Sequence, residues 1–387
     1  MGRPEMNLST PRPDPSTAFR ARGWGLPSTR AQAEGLKVHP EQRLFTPSLK
    51  TGLRAVERVK KGFTFAVVWM SIGFILPWVN PATCQILGAQ DIPTYSGWSE
   101  IRPSQNTFIF VGDTQSTSHW EFWRERNDKE RKLIIDEITR REPAFVLHLG
   151  DLTTRGSSKK HWQEFDELHR EFRRKKIPYI PTMGNHEFYG NDQEALHHYF
   201  RRFPHLEHRR WYSFTWKNIA ILMVDSNFSK MTEAQIDQQS QWYLRELENF
   251  ERDEEIDFIL VCFHEPPFTN SRVVKPNKAS ETHFADPFLR FQKTRILFNG
   301  HCHSYERFQV GSKFFVVSGG GGGPRHKVSI DPAERKYSDL YPGPELRFFH
   351  FGEIENQNGS LCFRVLRLDD PGSFTIVDPL TILRGKR

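Results

Sequence analysis

The sequence predicts an α/β fold in which helices cover a largely buried sheet. Three observations carry this. From about residue 91 onward, apolar runs of strand length alternate with amphipathic stretches of helical length. The apolar runs are nearly continuous, as in strands buried on both faces. Several end in Gly-Asp, Gly-Asn-His or another polar group, where a strand would open into a loop.

The elements follow in order. "NTFIFVGD" (106–113) is a strand entering a loop, and "EFWRERNDKERKLIIDEITRRE" (121–142) is an amphipathic helix. "PAFVLHLGD" (143–151) is a second strand, and "KKHWQEFDELHREFRRKK" (159–176) a second helix whose basic end suits the helix dipole. "IPYIPTMGNHE" (177–187) is a third strand. "IAILMVDS", the helix "EAQIDQQSQWYLRELENF", "DFILVCFHEPPF" and "TRILFNGHCHSYER" continue the alternation. "KFFVVSGGGGG" and strand-like runs near 347–367 close the chain and imply some antiparallel pairing. No internal repeat is found.

The chain has 387 residues, 37% of them hydrophobic and 13% aromatic, which supports a sizeable core and excludes a mostly disordered protein. The net charge of +7 is localised. Residues 1–61 carry 12 Lys and Arg against 5 Asp and Glu, whereas the remainder carries 42 of each. The basic balance therefore belongs to a Pro- and Ser-rich tail read as disordered, and no nucleic-acid partner is expected of the body. Residues 62–90 hold no charge, and the apolar run 63–79 is just long enough to cross a bilayer, which takes roughly 17–25 residues. With Arg58, Lys60 and Lys61 before it, this segment reads as a signal peptide or a single membrane anchor with the remainder outside the cytoplasm. A 61-residue leader is long for a cleaved signal, so either the natural start lies downstream of Met1 or the anchor is retained, with membrane contact through 63–82. The expected organisation is a tail (1–61), this segment (62–90) and a catalytic domain (91–387).

Five strand ends supply ligand-type side chains: Asp113 and Gln115, Asp151, Asn185 with His186, His264, and His301 with His303. Open α/β sheets gather their sites at the carboxyl ends of strands, so these loops can converge. Together they offer carboxylate, amide oxygen and imidazole without thiolate. That set is too large for one metal and suits two, of the Fe, Mn, Zn or Mg type rather than a structural cysteine–zinc site.

The ordered boxes "GDTQ", "GDLTT", "GNHE", "FHEPP" and "GHCHSYER" resemble the calcineurin-like metallophosphoesterase superfamily, and within it the purple acid phosphatase-like branch. The resemblance covers about 106–318 and includes "WYSFTWKNIAILMVDS" and "SQWYLRELEN". It implies a mixed β-sandwich flanked by helices in α/β/β/α layers. It also implies a dinuclear centre whose bound hydroxide hydrolyses a phosphate ester, with Asp151 bridging two divalent ions. Asp113, Gln115 and His303 would complete the first ion, and Asn185, His264 and His301 the second. His186 would be the general acid or a phosphate contact, and Glu187 or Glu265 would orient a ligand histidine. Phosphomonoesters are the favoured substrates; the alternatives are phosphodiesters, membrane lipid phosphates, or an inactive membrane-tethered binding module.

Two positions depart from the family pattern. Gln115 stands where histidine is frequent, which implies a weaker first ion. Thr154 stands where purple acid phosphatases carry a tyrosine, which implies a colourless protein. Cys302 is expected to pack in the core, and no disulfide is demanded by Cys84, Cys262, Cys302 and Cys362. "SGGGGGP" (318–324) lacks the Lys-Ser/Thr of a phosphate loop and reads as a flexible loop beside the site. Arg325, His326, His119 and Arg155 are candidates for substrate contact.

Overall fold

A computed structural model describes residues 92–118, 121–341, 343–370 and 372–385. The expected tail, the apolar segment 62–90 and His119 lie outside the described residues. Among those described, no helix is long and apolar enough to cross a membrane.

Two mixed sheets form the centre. In the first, β1 (Thr107–Val111), β2 (Val146–His148) and β3 (Tyr179–Pro181) run parallel. β10 (His350–Asn356) joins β1 antiparallel, followed by β11 (Ser360–Asp369) and β12 (Ser373–Ile376), with β13 (Leu380–Leu383) also on β11. The second sheet has the order β4 (Tyr212–Trp216), β5 (Ile219–Met223), β6 (Phe258–Cys262), β7 (Thr294–Asn299), β9 (Lys313–Ser318) and β8 (Tyr305–Val310). Its β5, β6, β7 and β9 are parallel.

Strand alternation explains the layering. In β5, Ile219, Ile221 and Met223 face the other sheet, in one core with Phe108 and Phe110 of β1. The intervening Ala220 and Leu222 face α5 (Glu233–Arg252), in a second core with Tyr243 and Leu247. Phe110 and Phe298 meet across the seam with ring centroids 4.4 Å apart. Emptying such a position costs about 3–5 kcal/mol, so the seam is a principal source of stability. α1 (Asp128–Arg141) places Ile134, Ile135 and Ile138 on the outer side of the first sheet. The α/β/β/α arrangement follows, with two sheets where strand alternation alone predicts one.

The helices differ from expectation in detail. α1 begins at Asp128, and 121–127 form a loop that leaves Phe122 and Trp123 exposed. The stretch 159–176 divides at His169 into α2 (Lys159–Leu168) and α3 (Arg170–Lys175). His169 is buried, and its Nδ1 pairs with the Phe165 carbonyl 2.9 Å away. α4 (Asp192–Arg202) and β4 are further elements. α4 starts where Asn191 accepts the Glu194 N–H, and α5 where Thr232 and Gln235 cap one another reciprocally.

Candidate metal centre

The five loops converge at the carboxyl ends of β1, β2, β3, β6 and β7, and the two sheets contribute different chemistry. The first sheet supplies the oxygen donors Asp113, Gln115, Asp151 and Asn185. The second supplies the imidazoles of His264, His301 and His303. Asp113, Asp151 and His301 all adopt the left-handed backbone region, with φ of 61°, 58° and 67°. Each such residue costs on the order of 1–3 kcal/mol, tolerated where the surroundings fix it and the geometry serves a site. Glycines let the carboxylates come close. A Cβ on Gly184 would lie 2.2 Å from Asp151 Oδ1, and one on Gly300 2.6 Å from Asp113 Oδ2.

Two groups of donor atoms result, each drawn within 4.8 Å: Asp151, His264 and His301 in one, Asp113, Asp151 and His303 in the other. Asp151 belongs to both. Its Oδ2 lies 3.3 Å from His264 Nε2 and 3.2 Å from Gln115 Nε2, while its Oδ1 accepts the His186 backbone N–H at 2.9 Å. In the first group, His264 Nε2 is 3.1 Å from Asn185 Oδ1 and 3.2 Å from His301 Nδ1. In the other, His303 Nε2 is 3.3 Å from Asp113 Oδ1 and 3.2 Å from Gln115 Nε2.

The donors are oriented from behind. His264 Nδ1 donates to the Leu149 carbonyl at 2.9 Å, and His303 Nδ1 to the Pro324 carbonyl at 2.8 Å, so both rings aim Nε2 at the cluster. Asp113 accepts the His301 N–H at 3.0 Å, which ties the last loop to the first. Buried Glu187 accepts the backbone N–H groups of Asp151, Leu152, Thr153 and Gly184. It thus clamps two ligand loops rather than a histidine, and its spacing after "GNH" is the only hint of this in the sequence. Glu265 likewise bonds Asn277 rather than a ligand histidine.

The residues fit a pair of cations. Burial would raise the Asp151 pKa, yet the facing imidazoles, His264 first, more than offset it and hold the carboxylate well below its usual range. Burial lowers His264, but the Asp151 carboxylate outweighs it and pushes the ring up to about 10. The cluster therefore attracts positive charge, and a metal would displace that proton. Gln115 Oε1 is buried without a partner while its amide nitrogen faces the donors. The two ends of an amide are assigned from their contacts, and a half-turn presents the oxygen to a cation.

A model of the calcineurin-like phosphoesterases matches residues 107–305, about half of the chain and all five loops. The chain belongs to the calcineurin-like phosphoesterases. It is 26% identical to purple acid phosphatase 21 of Arabidopsis thaliana over 45% of this chain and 41% of that protein. It is 28% identical to an uncharacterized protein of Mycobacterium tuberculosis over 62% of this chain and 56% of that one. The chain thus spans about half the length of these curated relatives. Among solved structures, it is similar in fold to the yellow lupin purple acid phosphatase PPD1, at a TM-score of 0.55 and 17% identity over 73% of this chain and 55% of that one. GAP50, the anchor in the inner membrane complex of Plasmodium, gives 0.54 at 14% identity over 73% of this chain and 90% of that one.

In this calcineurin-like phosphoesterase the cluster opens into a cleft of about 640 Å³, lined by Asp151, His186, His301 and His303 among others. Thr154 Oγ1 donates to the Ser116 carbonyl at 2.8 Å, so a short hydroxyl occupies the position where tyrosine stands in purple acid phosphatases. His186 Nδ1 donates to the Thr154 carbonyl at 2.8 Å, and its ring packs on Tyr189, centroids 4.3 Å apart. The glycine run is pinned rather than loose: Gly321 and Gly323 donate to the carbonyls of Gly112 and Asp113 at 2.9 and 2.8 Å. Arg325 pairs with Glu125 at 2.8 Å, whereas Arg155 and His326 line the cleft. Cys302 is buried, its Sγ donating to Thr269 Oγ1 at 3.3 Å, and Cys262 is buried in the core.

Proposed function

We propose that this chain is a metal-dependent phosphoester hydrolase acting mainly on phosphomonoesters. The observation that carries the reading is the shared carboxylate: Asp151 belongs to two donor groups that otherwise use different residues. On this reading Asp113, Gln115, Asp151 and His303 hold one divalent ion, and Asp151, Asn185, His264 and His301 the other. Bound there, a pair of divalent ions supplies Lewis-acid activation of water and of the phosphoryl oxygens near neutral pH.

The chain's own groups do the rest. The Thr154 carbonyl keeps the Nδ1 hydrogen of His186 in place, so the proton the ring exchanges is at Nε2, 3.9 Å from Asp151 Oδ2 and facing the cleft. A protonated His186 donates from Nε2 to the departing ester oxygen, while the carbonyl stabilises the imidazolium. Glu187 keeps the Asp151 and Asn185 loops in register. The preference for monoesters is drawn from the likeness to purple acid phosphatases.

The apolar segment 62–90, with Arg58, Lys60 and Lys61 before it, supports export, with the catalytic domain outside the cytoplasm. The test is hydrolysis of p-nitrophenyl phosphate against its bis ester with Mn²⁺, Zn²⁺ or Mg²⁺ added. The expected result is metal-dependent release, faster for the monoester. Less than one metal per chain and no release would replace the hydrolase with a membrane-tethered binding module; the amide nitrogen of Gln115, turned toward the donor set, is the feature that favours it.

A further inference from the structure

Arg124 and His326 meet in a part of the cleft that neither cation group uses. They stand 202 residues apart, yet Arg124 Nη2 lies 3.0 Å from His326 Nε2. On the other side of the ring, the backbone N–H of His303 points at His326 Nδ1 over 3.2 Å. An imidazole cannot accept both. A neutral ring has one free lone pair and a protonated ring has none. The main-chain donor is fixed and takes the lone pair at Nδ1. Nε2 therefore carries hydrogen and confronts a guanidinium N–H.

Two donors held this close are satisfied together only by an acceptor that both can reach. The arrangement is a built one. His326 is 4% exposed and stacks on His303 at 4.3 Å and 18°. Arg124 is anchored at Nη1 by Glu121 Oε1, 2.9 Å away, and Nη2 has only a long 3.5 Å approach to the Pro324 carbonyl besides. Both residues line the cleft. Of the acids beside them, Glu121 and Asp128 already pair with Arg124 and Arg131, and Glu164 lies 3.9 Å from Lys160.

We propose that Arg124 and His326 form a clamp for an oxyanion of the substrate, next to the His303 side of the metal centre. A guanidinium favours a charged oxygen over a neutral carbonyl, because charge-assisted bonds are the stronger ones. The oxyanion is either on the phosphoryl group being transferred or on a second acidic group of the ester. The proposal rests on the hydrolase reading for its substrate but not for its anion.

The test uses the full chain loaded with Mn²⁺ and the variants Arg124→Gln, Arg124→Lys and His326→Phe. Three quantities are measured: KM and kcat for p-nitrophenyl phosphate, the same for fructose 1,6-bisphosphate, and the affinity for inorganic phosphate by calorimetry. Arg124→Gln is expected to raise KM roughly 10–100-fold with metal content and kcat nearly unchanged, and Arg124→Lys to recover part of the loss. His326→Phe should move KM in the same direction. A loss on both substrates and on inorganic phosphate places the transferred group in the clamp; a loss on the bisphosphate alone places the second acid there. Unchanged KM on both substrates and unchanged phosphate affinity, with metal content intact, overturn the clamp. If the wild-type protein hydrolyses nothing, the hydrolase reading fails separately. The clamp is then judged on calorimetric affinity for inorganic phosphate and for fructose 1,6-bisphosphate: weaker for either in Arg124→Gln if it stands, equal for both if it does not.

Discussion

The two cation groups share Asp151 and differ in almost everything else. One pairs it with His264, whose Nδ1 is locked on the Leu149 carbonyl, and with Asn185 and His301 close by. The other relies on Gln115, whose buried Oε1 has no partner and whose amide nitrogen faces the remaining donors. Both have strained carboxylates and oriented histidines, so backbone geometry does not distinguish them. What distinguishes them is the preorganisation of one side chain: Asn185 Oδ1 already faces His264, whereas Gln115 turns its nitrogen toward the donors. The His264 group is expected to hold its ion more tightly, and the Gln115 group to set the metal concentration at which activity appears.

The largest effect should erase the comparison. Asp151→Asn removes the shared charge, and both ions and all metal-dependent hydrolysis are expected to go, as metal analysis of the purified variant will show. Retention of two ions would remove Asp151 from its bridging position. Next comes His186→Ala. It should keep both ions and slow hydrolysis about 10²–10⁴-fold, most for esters with poor leaving groups, in a series of aryl phosphates. An equal loss across the series would argue against proton donation.

A smaller effect sharpens the contrast directly. Gln115→His should tighten the weaker site about tenfold or more in a metal titration and leave the stronger one alone, while His264→Ala should weaken the stronger site. If Gln115→His changes nothing, the amide is not the weak point. Glu187→Gln replaces an oxygen that accepts main-chain N–H groups with another donor. It should cost about 1–3 kcal/mol in urea unfolding without metal, since it leaves buried donors unpaired behind both groups.

A last effect, on stability alone, separates the site from its scaffold. Burial holds His169 to about 3 and His350 to about 4, below the ordinary 6.5. Near pH 6.5 the unfolded chain takes up a proton at each, and the folded chain does so only near those lower values. Stability should therefore fall as pH drops from 6.5 toward 4, by up to ~1.4 kcal/mol per pH unit for each group. Urea midpoints that stay flat over this window would mean that these rings are not buried neutral.

The strands that end in ligand-type side chains were plain in the sequence, because an apolar run closing in Gly-Asp or Gly-Asn-His marks both a strand and the loop it opens into. The division into two sheets was legible only through the family resemblance, which implies a sandwich, since a period of two residues shows that a strand has two faces but not what covers each. Residues 121–127 look helical by composition, yet the chain uses them to carry Arg124 to the cleft. The break at His169 comes from a buried ring that bonds backward to Phe165, which no local propensity announces. Within the site, donors were legible because loops open on them. Glu187 was half legible, and of the Arg124–His326 pair only His326 was marked as a candidate, since contacts across 202 positions leave no spacing to read.

The division of donors between the sheets has a thermodynamic consequence. Oxygens come from one sheet and imidazoles from the other, so each donor group is complete only when the two sheets are packed together, and the unfolded chain has no preformed site. A bound cation is then a reversible cross-link across the Phe110–Phe298 seam. At a free concentration 100 times its dissociation constant, each such ion adds ~2.7 kcal/mol to the folded state. A chelator should therefore act on this protein as a mild denaturant, and unfolding temperature alone, with no substrate present, should report how well the site is filled.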